Sequence, residues 1–342
     1  MRIALVYDLR KDYLAMGFGE EETAEFDSEA TISSIANTIK GLGHQVDRVG
    51  NIYDLSKRLS SGLKKHQLPR KPWDLAFNIS EGLSGRNRES QAPALLEAYD
   101  IPYTFSDPLT LSLSLDKEMA KKVVRAAGVP TPDSFVVESA KDLKKIPIQE
   151  YPLFVKPLSE GTGKGITPLS VVKNPKELKA QCKRLLDGYG QPVLVEKFLP
   201  GREFTVGVLG TGEDARVVGA LELELLKGAE PGVYSYLNKE MCEERVRYVL
   251  VKNKKILKEL SVLALKAYKA LGCRDAGRID FRADEAGHAS FLEANPLAGL
   301  HPTHSDLPIL CSQAGMPYPK LIDTIIKSAS KRIPGKAELA QS

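Results

Sequence analysis

The chain has 342 residues, of which 42% are hydrophobic and 27% charged, and a formal net charge of +4. That length calls for two or three cores rather than one, and a small charge of mixed sign, without a long basic block, argues against nucleic acid as a partner. No run of about 18 apolar residues occurs, which excludes a membrane-spanning helix, and Cys182, Cys242, Cys273 and Cys311 form no C-x-x-C pair, so the pattern fits a reduced, cytoplasmic setting without a disulfide or zinc framework.

Arg2–Asp8 is an apolar run too short for a signal-peptide core, and it predicts a buried strand. Ile32, Ile35, Ala36, Ile39 and Leu42 recur at helical spacing over Glu29–Leu42, with Asp27 or Ser28 as the cap and Gly43 as the stop. Gln45–Val49 and Asp74–Ile79 read as strands, Glu89–Tyr99 as a helix and Pro102–Phe105 as extended chain. This alternation predicts an α/β unit over residues 1–105, built on a parallel sheet covered by helices. A second unit, 106–192, has a helix over Asp116–Ala127, strands Phe135–Val137 and Leu153–Lys156, a glycine-rich turn from Pro157 to Gly165, and a helix over Pro175–Leu186. The third, 193–330, opens with strands Val193–Phe198, Glu203–Leu209 and Val217–Leu225. Lys227–Tyr248 is charged and weakly periodic, and reads mostly as a mobile loop. After it come a helix over Lys254–Leu271, paired strands Arg278–Ala283 and Ser290–Ala294, and a last helix over Pro319–Ser328. Residues 331–342 are polar and read as a flexible tail.

Three constellations carry chemistry. Arg278 and Asp280 lie two apart on one strand, as do Glu293 and Asn295 on the next, so four polar groups share a face while Ile279, Phe281, Leu292 and Ala294 face away. Two carboxylates and an amide oxygen suit magnesium bridging phosphates; a solvated sheet face with salt bridges is the alternative. Lys156 precedes the glycine-rich turn, whose backbone N–H groups and lysine suit phosphate, although such a turn is also an ordinary connection. Val195-Glu196-Lys197-Phe198-Leu199 is followed by Gly201-Arg202-Glu203-Phe204-Thr205: a strand end that reads adenine through its main chain with Glu203 on a ribose, or an ordinary strand pair.

Taken in order, the lysine and glycine-rich turn, Glu-Lys-Phe-Leu, Gly-Arg-Glu-Phe-Thr, Gly-Arg-Ile-Asp and Leu-Glu-Ala-Asn-Pro resemble the ATP-grasp superfamily, and within it the D-alanine–D-alanine ligase family. The resemblance runs from about Asp74 to Ile326. It implies a three-domain α/β ATP-grasp architecture with the parallel α/β unit at the N-terminus. It implies that Lys117 and Lys156 bind ATP phosphates, that Glu196, Lys197 and Leu199 line the adenine site, and that Glu203 meets the ribose. Asp280, Glu293 and Asn295 would hold two Mg2+ (or Mn2+) ions, and Arg278 with the Gly299 N–H would stabilise an oxyanion. Glu29 would orient the first substrate's ammonium group, and Lys239 would close over the γ-phosphate. The implied activity is ADP-forming ligation of two amino acids or similar substrates through an acylphosphate, for peptidoglycan, by a homodimer.

The resemblance breaks at the amino-acid pockets. The family's Gly-Gly-x-Ser-x-Glu segment is missing; Tyr7-Asp8-Leu9-Arg10 leads instead into an acidic stretch from Gly17 to Asp27. The usual His-Gly is Glu81-Gly82, the turn serine is Thr162, the lid tyrosine is Glu240 with Tyr236 nearby, and Pro-Thr-Ser-Leu becomes Pro302-Thr303-His304-Ser305. Altered substrates, or an ATP-binding regulatory protein without ligation, are the two readings that follow. His301 and His304, three apart, suit a carboxylate or a structural role better than a metal. Lys64-Lys65-His66 and Lys121-Lys122 read as solvated helix faces.

Overall fold

A computed structural model describes residues 1–61, 71–147 and 150–333. Its first sheet contains β1 (Arg2–Tyr7), β2 (Gln45–Gly50) and β3 (Leu75–Ile79), ordered β2-β1-β3, with both pairings parallel. A central parallel strand is covered on both faces, which is why β1 is apolar from Ile3 to Val6. Ile3 and Leu5 pack with Phe77, Ile32 and Ile35 on one side, and Ala4 and Val6 pack with Leu55, Leu59 and Leu96 on the other. The helices of this region are α1 (Arg10–Ala15), α2 (Glu29–Gly41), α3 (Ile52–Ser60), α4 (Gln91–Ala98), α5 (Pro108–Leu115) and α6 (Lys117–Ala126). Ser28 caps α2, its hydroxyl accepting from Thr31 N at 3.2 Å. Sequence periodicity missed α1, α3 and α5. In α5, Leu-Thr-Leu-Ser-Leu-Ser-Leu alternates with period two and shows no helical stripe, yet Asp107 caps it and Pro108 occupies its first turn.

The second sheet holds β4 (Ser134–Val137), β5 (Leu153–Pro157), β6 (Val171–Val172) and β7 (Val193–Lys197) in the antiparallel order β4-β7-β5-β6. The helix α7 (Pro175–Tyr189) covers it with Leu178, Cys182 and Leu185. Val193–Lys197 therefore belongs with the middle unit. The boundary placed before Val193 moves beyond Lys197, because this buried strand bonds to β4 and β5 on its two sides.

The third sheet runs β10-β9-β8-β11-β12, all antiparallel, from β8 (Glu203–Leu209), β9 (Arg216–Leu225), β10 (Val246–Leu250), β11 (Ala276–Ala283) and β12 (Ala289–Asn295). Between β9 and β12 lie α8 (Tyr236–Glu240), α9 (Cys242–Arg245) and α10 (Lys254–Ala270); α11 (Asp306–Gln313) and α12 (Tyr318–Ser330) follow. One face packs on α10 through Leu260, Ala264 and Tyr268, joined by Ala120 and Val124 of α6. The other lies under α11; a Cβ at Gly207 would stand 2.6 Å from the Leu310 side chain.

Lys227–Tyr248 is not the loose loop its composition predicts. Buried Asn238 donates to the carbonyls of Glu230 and Val233, both at 2.9 Å, and accepts from Glu230 N at 2.8 Å. The edge strand β10 escaped detection because its charges pair across the strand, Arg247 with Glu224. The tail also starts fixed: Arg332 pairs with Asp275 at 2.6 Å and donates to Tyr103 O at 2.7 Å. Residues 334–342 and the Lys64-Lys65-His66 group lie outside the described residues. Among the described residues no helix is long and apolar enough to cross a membrane.

Candidate active site

A cavity of about 90 Å³ lies between the second and third sheets, lined by Lys117, Lys156, Glu196, Lys197, Leu199 and Glu203 among others. Lys156 and Glu196 are nearly buried and 2.8 Å apart. Lys121 closes the group, 2.6 Å from Glu196 and donating to Thr131 Oγ1 at 2.9 Å. Lys121 is 1% exposed, so its reading as a solvated surface residue is corrected; only Lys122 is outward. Lys117, Lys121 and Val124 form the inward stripe of α6, and that spacing was the available signal. Burial raises the Glu196 carboxyl, but two ammonium groups overcome it and hold it down to about 2. Burial, more than the like charge of Lys156, lowers Lys121 despite the Glu196 and Glu118 carboxylates set against it.

Lys197 lines this cavity, but its ammonium turns outward to Glu150 at 3.2 Å. Glu203 is held by Arg282 at 3.0 Å, and Arg282 lies 5.1 Å above the Phe198 ring; sequence reasoning passed over Arg282.

Arg278 and Asp280 face Asn295 and Glu293 across β11 and β12. Asp280 accepts from Arg278 at 3.1 Å, Asn295 Nδ2 at 2.9 Å and Thr205 Oγ1 at 2.6 Å. Arg278 also pairs with Asp306 at 2.7 Å, at the start of α11. Thr205 was given no role although it follows Glu203 by two on the same strand, and that spacing was the available signal; Asp306, from α11, was missed. The register slips between Asp280 and Phe281, where Leu292 has no partner. At that bulge Leu292 turns into the cavity beside Glu293, contrary to the outward face that strict alternation predicts. Burial raises both carboxyls, and they repel one another. Lys117, 3.3 Å from Glu293, and Lys156 bring Glu293 below its usual range, whereas Asp280 stays above it.

A second cavity, of about 540 Å³, opens beside the first. Lys117, Glu160, Lys239, Arg278 and Glu293 line both. Asn295, Thr162 and Gly299 line the second alone, with Thr162 at φ 52° in the glycine-rich turn. Lys239 stands on α8, its ammonium 6.0 Å from the Tyr234 ring. His301 and His304 reach this cavity, where Cys242 Sγ is 3.5 Å from His304 Nδ1.

Glu29 is not brought into the site. It lines neither cavity, its side chain is 44% exposed, and it pairs with Arg48 at 2.7 Å and Lys11 at 3.3 Å. Glu25 stands there instead. It accepts from Gly161 N at 2.7 Å and Lys164 Nζ at 3.0 Å, and pairs with Arg88 at 3.1 Å. The acidic stretch thus crosses onto the glycine-rich turn, and Arg10 reaches Glu240 of α8 at 3.6 Å.

Residues 123–327 match the family described as D-ala D-ala ligase C-terminus. The chain is 36% identical over 299 residues to a D-alanine–D-alanine ligase of Aquifex aeolicus, covering 86% of this chain and 93% of that one. It is 32% identical over 337 residues to a D-alanine–D-alanine ligase of a Chelativorans species, covering 94% and 99%. A crystal structure of D-alanine–D-alanine ligase from Bacillus anthracis complexed with ATP superposes with a TM-score of 0.72 at 22% identity, over 99% of each chain, and shares the fold. The chain belongs to the D-alanine–D-alanine ligase family of the ATP-grasp type, enzymes that form a C–N bond.

Proposed function

We propose that this enzyme binds ATP in the smaller cavity, binds two amino acids in the larger one, and joins them with release of ADP and phosphate. The observation that carries the reading is the shared wall: Lys117, Glu160, Lys239, Arg278 and Glu293 face both cavities. Only there can a γ-phosphoryl group meet a substrate carboxylate. That carboxylate attacks the γ-phosphorus, and the bond to the ADP oxygen breaks. The amine of the second amino acid then attacks the acyl carbon, loses a proton, and phosphate leaves.

No side-chain nucleophile is needed. Lys117 and Lys156 neutralise phosphate charge, and Arg278 meets the charge that develops on the acyl oxygen. The triad of Lys121, Glu196 and Lys156 acts one step back: Glu196 fixes the Lys156 ammonium, and Lys121 keeps Glu196 ionised. Lys239 and its helix cover the shared wall and keep water from the acylphosphate.

Asp280, Glu293 and Asn295 fit magnesium. They offer hard oxygens, the two carboxylates repel each other, and Asn295 spends its amide N–H on Asp280, leaving its oxygen free. When bound, the metal would supply charge neutralisation at the phosphates.

Incubation with ATP, magnesium and a panel of D- and L-amino acids is expected to release phosphate and yield a dipeptide, read by mass spectrometry. E293Q should cut the rate about a hundredfold or more while the protein stays folded. Silence of the intact enzyme across the whole panel would overturn the reading.

A further inference from the structure

One end of the larger cavity gathers carboxyl groups that make no direct ion pair among the described residues. Glu25 and Glu160 are balanced by Arg88 and Lys164, two anions against two cations in direct contact. Lys117 is taken by Glu293. Glu81, Glu89 and Asp27 line the same cavity. Glu81 and Glu89 accept no hydrogen bond and form no ion pair among the described residues. Burial, with the neighbouring carboxylates, raises both of them, and burial with Asp8 pushes Asp27 up to about 7.

An independent observation marks this end as a binding place. Ser114 lines the cavity, is 4% exposed, and its hydroxyl has no hydrogen-bond partner among the described residues. It sits near the end of α5, the helix that packs against the turn carrying Glu89. A buried hydroxyl without a partner is costly unless a ligand completes it. A metal ion is a poor occupant of this end, because Glu81, Glu89 and Asp27 are not grouped to hold one. An organic ammonium group fits better, because it donates several hydrogen bonds to oxygens that need not converge on a point.

We propose that one of the two ligated substrates is a diamino acid, whose second ammonium group is received by Glu81, Glu89 and the Ser114 hydroxyl. The α-amino group alone does not call for two unpartnered carboxyl groups, Glu81 and Glu89, beside Asp27; a second cation in the side chain does. The assignment rests on the ligase reading and narrows its substrate class.

The test gives the intact enzyme alanine, 2,3-diaminopropionate, ornithine and lysine, in D and L forms, singly and in pairs with ATP and magnesium. At least one diamino acid is expected to exceed alanine in kcat/KM by about tenfold or more. E81Q and E89Q keep the side-chain shape and should each lower that preference about tenfold, chiefly through KM for the diamino acid. S114A removes only the hydroxyl and should lower it in the same direction. Turnover of alanine at least as efficient as that of every diamino acid overturns the proposal and leaves the ligase reading standing. If no pair releases phosphate, the ligase reading fails, and titration calorimetry with ornithine and alanine still decides this point. Absence of tighter ornithine binding, or a preference unchanged in E81Q and E89Q, overturns it there.

Discussion

Lys121 is 1% exposed with Glu196 2.6 Å away, and Glu196 in turn holds Lys156. Removing Lys121 leaves a buried carboxylate with one partner, so K121A should destabilise the fold by about 3 kcal/mol in chemical denaturation. It should also raise KM for ATP, since Lys156 loses its fixed position. Glu196 makes a linked prediction about pH. Its folded pKa, about 2, lies below the ordinary 4.5, so its contribution is fully present above pH 4.5 and is lost as pH falls towards 2. Urea midpoints should therefore drop between pH 5 and pH 3 in the wild type, and drop less in E196Q. Residues on regular strands were the legible ones: Lys156, Glu203 and Asp280 line the smaller cavity, Asn295 the larger and Glu293 both. Leu292 was misread because one bulge reverses the alternation after Asp280. The acidic stretch from Gly17 to Asp27 offers no period at all, and Glu25 within it went unnoticed.

The glycine-rich turn and the helix α8 touch backbone to backbone. A Cβ at Gly163 would stand 2.9 Å from Tyr236 N, and Gly163 has φ +71°. G163A should therefore push α8 and Lys239 away from the shared wall. The expected result is a loss of ligation of about tenfold or more with a smaller loss in ATP hydrolysis, because the acylphosphate then meets water; equal losses in both would contradict the covering role. Helices with a polar face and a cap, such as α2 and α10, were legible in the sequence. The region 227–248 was not. Its order comes from Asn238 bonding to Glu230 and Val233, and a single polar residue leaves no periodic trace.

At the scale of the molecule the first and third sheets are tied by the end of the chain. Leu321, Ile322, Ile325 and Ile326 of α12 share one core with Ile3, Leu5 and Phe77 of the first sheet. Fully buried Asp275, of the third unit, accepts from Phe105 N at 2.8 Å, Ser328 Oγ at 2.7 Å and both arms of Arg332. R332A should cost about 3 kcal/mol, measured by denaturant melts, because it strands that buried carboxylate. The α/β class was legible because strand and helix patterns alternate along the chain. The return of α12 to the first sheet was not, since periodicity tells which face is apolar and not what covers it.

That return sets a schedule for synthesis. A ribosome releases Ile3 and Leu5 long before Ile322 and Ile326, yet the four residues complete a single core. Early nascent chains must hold the first sheet half-covered, and proteases or chaperones meet it in that condition. Stalled chains ending before Tyr318 should be cut readily within residues 1–61, and chains extended past Ile333 and clear of the exit tunnel should resist.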